Sequence, residues 1–330
     1  MTEFKNVAVV GLGLIGGSMC KTITNRTERR VYGYNRTVKV CEDAKAEGAI
    51  NGILEIDAPV NEMDLFILCL YPDTCIEFVK THLADIKKGA VIVDCCGTKR
   101  KICDALYELC KQNGVIFIGG HPMAGIEKSG YSYSFDGMFN NASMILCKLN
   151  NEENDSSKAG RKAGDKTENT EYRTSVSADD YQASYNEAYA SLKDFILKLG
   201  FGFVKESTPD EHDRVIAYTS QMAHVVSNAY IKNETCKERY GFSAGSFKDL
   251  TRVAFLNEHM WTELFLENRD ALLDELEELM GHLQEYCDAL ESRDEEMLCK
   301  LLRDGRIAKT EDMEKEEHAK SICHPQSEKN

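Results

Sequence analysis

The feature that most limits how this chain can fold is Val7-Ala8-Val9-Val10-Gly11-Leu12-Gly13-Leu14-Ile15-Gly16. A short apolar run of strand type enters glycines spaced Gly-x-Gly-x-x-Gly, and a stretch of helical character follows. Gly11 allows a tight turn, Gly13 lets the backbone approach a pyrophosphate, and Gly16 lets the helix pack on the strand. The helix start at Leu14 and Ile15 offers free N–H groups to phosphate oxygens. A second strand, Arg30-Val31-Tyr32-Gly33-Tyr34, arrives at the spacing of a strand–helix–strand unit. The pattern predicts a dinucleotide-binding sheet of Rossmann type. A glycine turn without a nucleotide is the plain alternative.

The residue after that second strand selects the cofactor. An acid there would accept hydrogen bonds from the ribose 2′-hydroxyl of NAD. This chain has Asn35 and Arg36. Asn35 removes the repulsion an acid would exert on a 2′-phosphate, and Arg36 supplies a planar cation suited to one. The expectation is NAD(P), with NADP favoured. Arg36 as a solvated surface residue, or Asn35 bonding a ribose hydroxyl, would also account for the pair.

Further strand-like runs, Asp64–Leu70, Ala90–Asp94, Val115–Ile118 and Ala142–Cys147, alternate with helical stretches to about residue 148. That is the βαβ rhythm of a doubly wound parallel sheet, so the fold class is α/β. Residues 149–180 are rich in Asn, Glu, Ser, Lys and Asp and bury too little to order themselves, which predicts a disordered surface insertion. A helix over about 183–199 and a strand at Gly202–Lys205 then finish the sheet. These segments define a dinucleotide-binding domain over 1–207.

From Thr208 the chain turns to long helices. Thr208 or Asp210 can cap the first, with Pro209 near its opening position. Between Trp261 and about Leu302, apolar residues such as Leu272, Leu279, Leu283 and Leu290 recur at helical spacing, with Glu and Asp opposite. Such a stripe must pack on something. The expectation is an all-α substrate-binding and dimerisation domain over 208–313 whose stripe meets a second copy in a homodimer; an intrachain core is the alternative. Residues 314–330 are expected to form a charged, frayed tail.

Composition bounds the function. A chain of 330 residues has room for two domains. A formal charge of −15 argues against nucleic acid or an anionic membrane as partner. No apolar run reaches membrane-spanning length, and the start leads into the first strand with no signal peptide expected. Thirteen cysteines are scattered without a Cys-x-x-Cys pair, which predicts reduced thiols in the cytoplasm and no metal site.

Two further segments carry chemistry. Gly119-Gly120-His121-Pro122-Met123-Ala124-Gly125 places a histidine in a glycine-rich loop at the carboxyl end of a strand, where ligands collect in such sheets. A histidine there can exchange a proton near neutral pH. In Gly245-Ser246-Phe247-Lys248-Asp249-Leu250-Thr251-Arg252, Lys248 and Arg252 share one face of a helix. Two cations beside a glycine suit an anionic small molecule; a salt-bridged surface helix, for instance through Asp249, would use the same spacing.

Together the three segments resemble the prephenate and arogenate dehydrogenase family of tyrosine biosynthesis, from residue 4 to about 313. The glycine loop is common to many dehydrogenases, whereas the His-Pro-Met-Ala-Gly and Gly-x-Phe-Lys-Asp-x-Thr-Arg segments are particular to this family. The resemblance implies oxidative decarboxylation of prephenate to 4-hydroxyphenylpyruvate, or of arogenate to tyrosine. It implies that His121 is the catalytic base, oriented by Thr98 at a position where the family usually has serine. It implies that Arg252, with Lys248 nearby, binds substrate carboxylate, and that His224 and Trp261 line the pocket. Trp261 as a core residue is the plain alternative. Gln221 stands where many members carry histidine, Asn35 replaces the common acid, and the insertion after Cys147 is atypical. With no mutase or regulatory segment in view, the monofunctional form is expected. A β-hydroxyacid dehydrogenase-like oxidoreductase or a non-catalytic nucleotide sensor are the rivals, and neither has reason to keep His121-Pro122 together with Arg252.

Overall fold

The computed structural model describes residues 2–148 and 178–323. Its centre is an eight-stranded sheet in the order β3-β2-β1-β4-β5-β6-β7-β8. The strands are β1 (Asn6–Val10), β2 (Arg30–Tyr34), β3 (Gly52–Ile53), β4 (Leu65–Leu68), β5 (Val91–Asp94), β6 (Ile116–Pro122), β7 (Ser143–Cys147) and β8 (Phe203–Ser207). All neighbours from β3 across to β6 are parallel. Strand β7 runs antiparallel to β6, and β8 runs parallel to β7. The sheet is therefore parallel-dominated, with its direction reversed at one edge.

Both faces are covered, as the near-continuous apolar strands require. Val7 and Val9 of β1 point to one side, with α1 (Leu14–Arg26), α2 (Val38–Ala46) and α5 (Ala178–Lys198). Ala8 and Val10 point to the other, with α3 (Pro72–His82) and α4 (Arg100–Gln112). These four β1 side chains have no solvent exposure. Each buried valine contributes roughly 1.5–3 kcal/mol relative to an exposed one.

The helical part follows β8. Thr208 caps α6 (Pro209–Ile216), its Oγ1 accepting from the Glu211 amide at 3.2 Å, with Pro209 at the first turn. A π-helical segment, Ala217–Met222, continues into α7 (Ala223–Tyr230). Then come α8 (Gly245–Thr251), α9 (Glu258–Glu267), α10 (Arg269–Ser292) and α11 (Glu295–Cys323). No helix among the described residues is long and apolar enough to cross a membrane.

Several boundaries differ from the sequence reading. Helix α5 begins at Ala178, so the last three residues of the expected 149–180 insertion are helical; the remainder lies outside the described residues. The charged tail expected from residue 314 is helical as far as Cys323, because its Glu and Lys residues are good helix formers. Strand β6 does not end at Ile118 but continues through His121 to Pro122. Beyond Ile118 it leaves β5 and pairs with β7, so the histidine expected in a loop sits in a strand.

Candidate active site

The glycine turn has the geometry a dinucleotide needs. Gly11 adopts a φ of +94°, open to glycine and strained for other residues. A Cβ on Gly16 would lie 1.9 Å from the Gly11 carbonyl oxygen, so only glycine lets α1 start this close to β1. A Cβ on Gly13 would meet nothing within 4 Å, leaving open space at the helix start. Gly13 is also the N-cap of α1, and it supplies no side-chain bond to the first-turn amides; no acid lies in that turn. Those free N–H groups and that space fit a pyrophosphate.

Asn35, at the end of β2, is already engaged. Its Oδ1 accepts from the Leu12 amide at 3.1 Å and its Nδ2 donates to the Thr37 carbonyl at 3.2 Å. It thus ties the glycine turn to the neighbouring strand. Arg36 beside it is exposed and, among the described residues, has no ion pair.

Across the sheet edge, Gly120 lets β6 pass close to the end of β5. A Cβ there would lie 2.4 Å from the Asp94 carbonyl oxygen. Asp94 is fully buried, and its Oδ1 accepts from the Gly120 amide at 2.9 Å. Its Oδ2 accepts from the Cys96 amide at 2.9 Å and pairs with the buried ammonium of Lys99. Burial works against the Lys99 charge, but the Asp94 carboxylate beside it more than offsets this and raises the ammonium above its ordinary range. One carboxylate therefore joins the loop carrying Thr98 to the strand carrying His121.

His121 Nδ1 lies 2.9 Å from Nε2 of His212, on α6. His212 Nδ1 lies 2.7 Å from Oδ1 of Asp213. Asp213 accepts in turn from the Lys99 amide at 2.7 Å and the Arg100 amide at 2.9 Å. Burial opposes its ionisation, but the bonds from His212, Arg100 and Lys99 outweigh this and hold its carboxyl below the usual range. Burial, the neighbouring His212 and the Lys99 cation push His121 well below the ordinary histidine value, against a weaker pull from Asp213. His212 is lowered as well, by burial first, with Asp213 opposing. Both imidazoles are neutral at pH 7.

Thr98 is placed differently from its expected role. Its hydroxyl donates to Glu267 Oε2 at 2.6 Å, while Nδ1 of His121 meets His212. Glu267 is also paired with Lys101 at 2.9 Å, so Thr98 ties β5's following loop to the end of α9.

The helical segment brings further expected residues together. The rings of His224 and Trp261 lie with centroids 4.0 Å apart, tilted by 31°, and Phe265 flanks the indole at 5.2 Å. His224 Nδ1 donates to the Ser220 carbonyl at 2.8 Å, leaving Nε2 unengaged by that bond. Trp261 is half-buried and not a core residue. Lys248 and Arg252 lie one turn apart at α8 and are exposed. Arg252 pairs with Glu127 at 2.7 Å, not with Asp249; Glu127 belongs to the loop that follows His121. Gln221 is buried, donates to the Leu264 carbonyl at 3.1 Å and accepts from Asn268 at 2.8 Å, so both ends of its amide hold α9 and α10 in place.

His212, Asp213, Asp94 and Lys99 carry no role that the sequence alone announces. The one signal was the adjacent His-Asp pair behind the α6 cap, a common enough dipeptide until the fold buries it against a second histidine.

Known proteins agree with this architecture. Residues 20–159 match the family described as "Prephenate dehydrogenase, nucleotide-binding domain", and residues 208–304 match "Prephenate dehydrogenase, dimerization domain". The chain is 26% identical over 309 residues to a prephenate dehydrogenase of Lactococcus lactis, covering 92% of this chain and 76% of that protein. It is 28% identical over 320 residues to a cyclohexadienyl dehydrogenase of Zymomonas mobilis, covering 94% and 96%. In fold it resembles the prephenate dehydrogenase of A. aeolicus solved with hydroxyphenyl propionate and NAD+, with a TM-score of 0.74 at 24% identity over 94% of this chain and 98% of that one. The arogenate dehydrogenase of Synechocystis superposes with a TM-score of 0.70 at 22% identity, over 93% and 99%. The nucleotide cradle, the half-buried histidine beyond the parallel sheet and the paired domain matches lead to one conclusion: the chain belongs to the prephenate/arogenate dehydrogenase family of NAD(P)-dependent oxidoreductases.

Proposed function

We propose that this enzyme oxidatively decarboxylates prephenate to 4-hydroxyphenylpyruvate, with His121 as the general base. The observation that carries this reading is a half-buried histidine, kept neutral by its surroundings at the carboxyl edge of the sheet, with its Nδ1 engaged by His212 and its Nε2 outside that contact. Only a neutral imidazole can take the proton of the ring hydroxyl.

Gly11, Gly13 and Gly16, with the amides of Leu14 and Ile15, would hold the dinucleotide. When bound, its nicotinamide supplies the hydride acceptor. His121 would remove the hydroxyl proton, the O–H pair becoming the second C–O bond as the C–H pair of the same carbon leaves as hydride. The C–C pair released with carbon dioxide would then enter the ring, and the proton would return to the phenol oxygen. Arg252 grips a substrate carboxylate by parallel hydrogen bonds, exchanging Glu127 for the ligand, while Lys248 adds a second cation. His224 and Trp261 form the pocket wall through their closely packed rings. Thr98 supports the loop behind the base from its bond to Glu267.

NADP is the proposed cofactor, because Asn35 is consumed in holding the glycine turn and the free cation Arg36 stands next to it. A homodimer is proposed from α10 and α11. Only Leu272 and Ala289 of α10 are buried, whereas Leu283, Leu290 and Leu302 are at least half exposed and need a partner. The division between domains is proposed at 207/208, supported by the end of β8 at Ser207. The net charge of −15 and the cysteines left unpaired among the described residues favour a cytoplasmic enzyme acting on a small molecule, without nucleic acid or membrane.

The test is nicotinamide reduction with prephenate and arogenate crossed against NAD and NADP. Turnover of prephenate, abolished by His121→Asn, is expected; turnover of arogenate alone would reassign the substrate. Arg36→Ala should weaken NADP binding and leave NAD binding unchanged, and equal effects on both would remove the NADP preference.

A further inference from the structure

We propose that His212 and Asp213 are a positioning pair that fixes the tautomer of His121, placing its one ring proton on Nδ1 and leaving Nε2 bare. The inference rests on the reading of His121 as the base, and it explains which nitrogen does the work.

Hydrogen-bonding roles along the line Asp213–His212–His121 fix where each proton sits. Asp213 is ionised, so both its oxygens only accept. Its Oδ1 lies 2.7 Å from Nδ1 of His212, which must therefore carry hydrogen. A neutral imidazole has a single ring proton, so Nε2 of His212 is a bare lone pair. That lone pair faces Nδ1 of His121 at 2.9 Å. Two bare nitrogens at that separation would repel, so Nδ1 of His121 carries the proton and donates. Its Nε2 is then the only basic atom left on the ring.

The surroundings oppose the alternative arrangement. A second proton on His212 would occupy Nε2 and turn His121 Nδ1 into an acceptor, moving the His121 proton to Nε2 and disabling the base. The groups facing the pair are Lys99 and Asp94, which neutralise one another, together with Asp213 and Arg100, whose Nε lies 3.2 Å from Asp213 Oδ2. His212 has no exposed side-chain surface, so a cation there is poorly solvated. When His121 Nε2 gains a proton, the charge is shared through Nδ1–H to His212 and stabilised by the Asp213 carboxylate. No proton has to move along the line.

Ring nitrogen NMR on the full-length protein, with His121 assigned by its loss in His121→Asn, tests this without turnover. The wild type should show His121 protonated at Nδ1 alone; protonation at Nε2 would overturn the proposal outright. Gln at 212 can still present an oxygen near the Nε2 position, whereas Asn is too short. His212→Gln should keep the tautomer and most of kcat. His212→Asn should mix the two tautomers and lower kcat on the order of ten- to a hundredfold, with KM little changed. A His212→Asn protein that folds, keeps the single Nδ1–H form and matches His212→Gln in kcat would refute a positioning role. If His121→Asn keeps turnover, the base assignment fails by itself; the wild-type spectrum still decides the tautomer.

Discussion

Lys99 and Asp94 form an ion pair with neither side chain exposed, one hydrogen bond away from the residue that precedes His121. Removing one member of such a pair leaves an unpaired buried charge. Lys99→Met is therefore expected to lower unfolding free energy by about 3–5 kcal/mol, read from urea titration. Adding Asp94→Asn should recover part of that loss, because the two changes share one interaction. An unchanged urea midpoint in Lys99→Met would show the pair to be dispensable.

The depressed pKa of His121 sets a pH signature. Because the folded state disfavours the imidazolium, kcat/KM should hold from neutral pH downward, with its acid limb below the ordinary histidine value of about 6.5. The stability linkage carries the matching sign. Below about 6.5 the unfolded chain binds a proton that folded His121 refuses, so stability falls as pH falls and is recovered as pH rises. Asp213, whose folded pKa is lowered, adds stability above its unfolded value that is lost at still lower pH. A pH–rate profile beside a pH–stability curve measures both, and an acid limb above 6.5 would contradict the assignment.

The glycine turn separates folding from cofactor binding. Gly16→Ala drives a Cβ into the Gly11 carbonyl and should lower Tm markedly. Gly13→Ala meets no protein atom, so Tm of the free protein should stay within a degree or so while dinucleotide affinity falls about tenfold or more. Thermal melts with and without NADP distinguish the two. Equal cofactor affinity in Gly13→Ala would place the pyrophosphate elsewhere.

Arg252 is two-thirds exposed and its pair with Glu127 lies at the surface. Such pairs contribute about 0–1 kcal/mol, so Arg252→Lys should barely change stability. Substrate binding is another matter, because lysine cannot grip a carboxylate with two parallel bonds. KM is expected to rise about tenfold with kcat less affected. A fall in kcat alone, with KM unchanged, would place Arg252 outside the carboxylate site.

Much of this was legible in the chain. The strand–glycine–helix passage at residues 7–18 announces its own fold because turn, cap and packing contact all lie within a dozen consecutive residues. Thr208 and Pro209 announce α6 for the same reason. The extension of β6 through His121 was not legible, since Gly119-Gly120 reads as a loop until β7 arrives from the far side to pair with it. The helical course of residues 314–323 was hidden by charge, which signals exposure but does not forbid a helix.

The sequence by itself determined the nucleotide cradle, the alternation of strands and helices, and the interest of His121 and of the Lys248/Arg252 pair. These follow from local spacing, which survives without tertiary contacts, whereas His224 and Trp261 stood out only through the family resemblance. Only the tertiary structure decided what each side chain faces. It turned Thr98 toward Glu267, brought His212 from a position 91 residues away to Nδ1 of His121, and buried Lys99 against Asp94. His212 reaches His121 on α6, Glu267 reaches Thr98 from the end of α9, and the loop after β5 folds Lys99 back onto Asp94; burial is what gives these contacts and pKa shifts force. No pattern along the chain encodes the dielectric around a residue or the element that closes over it.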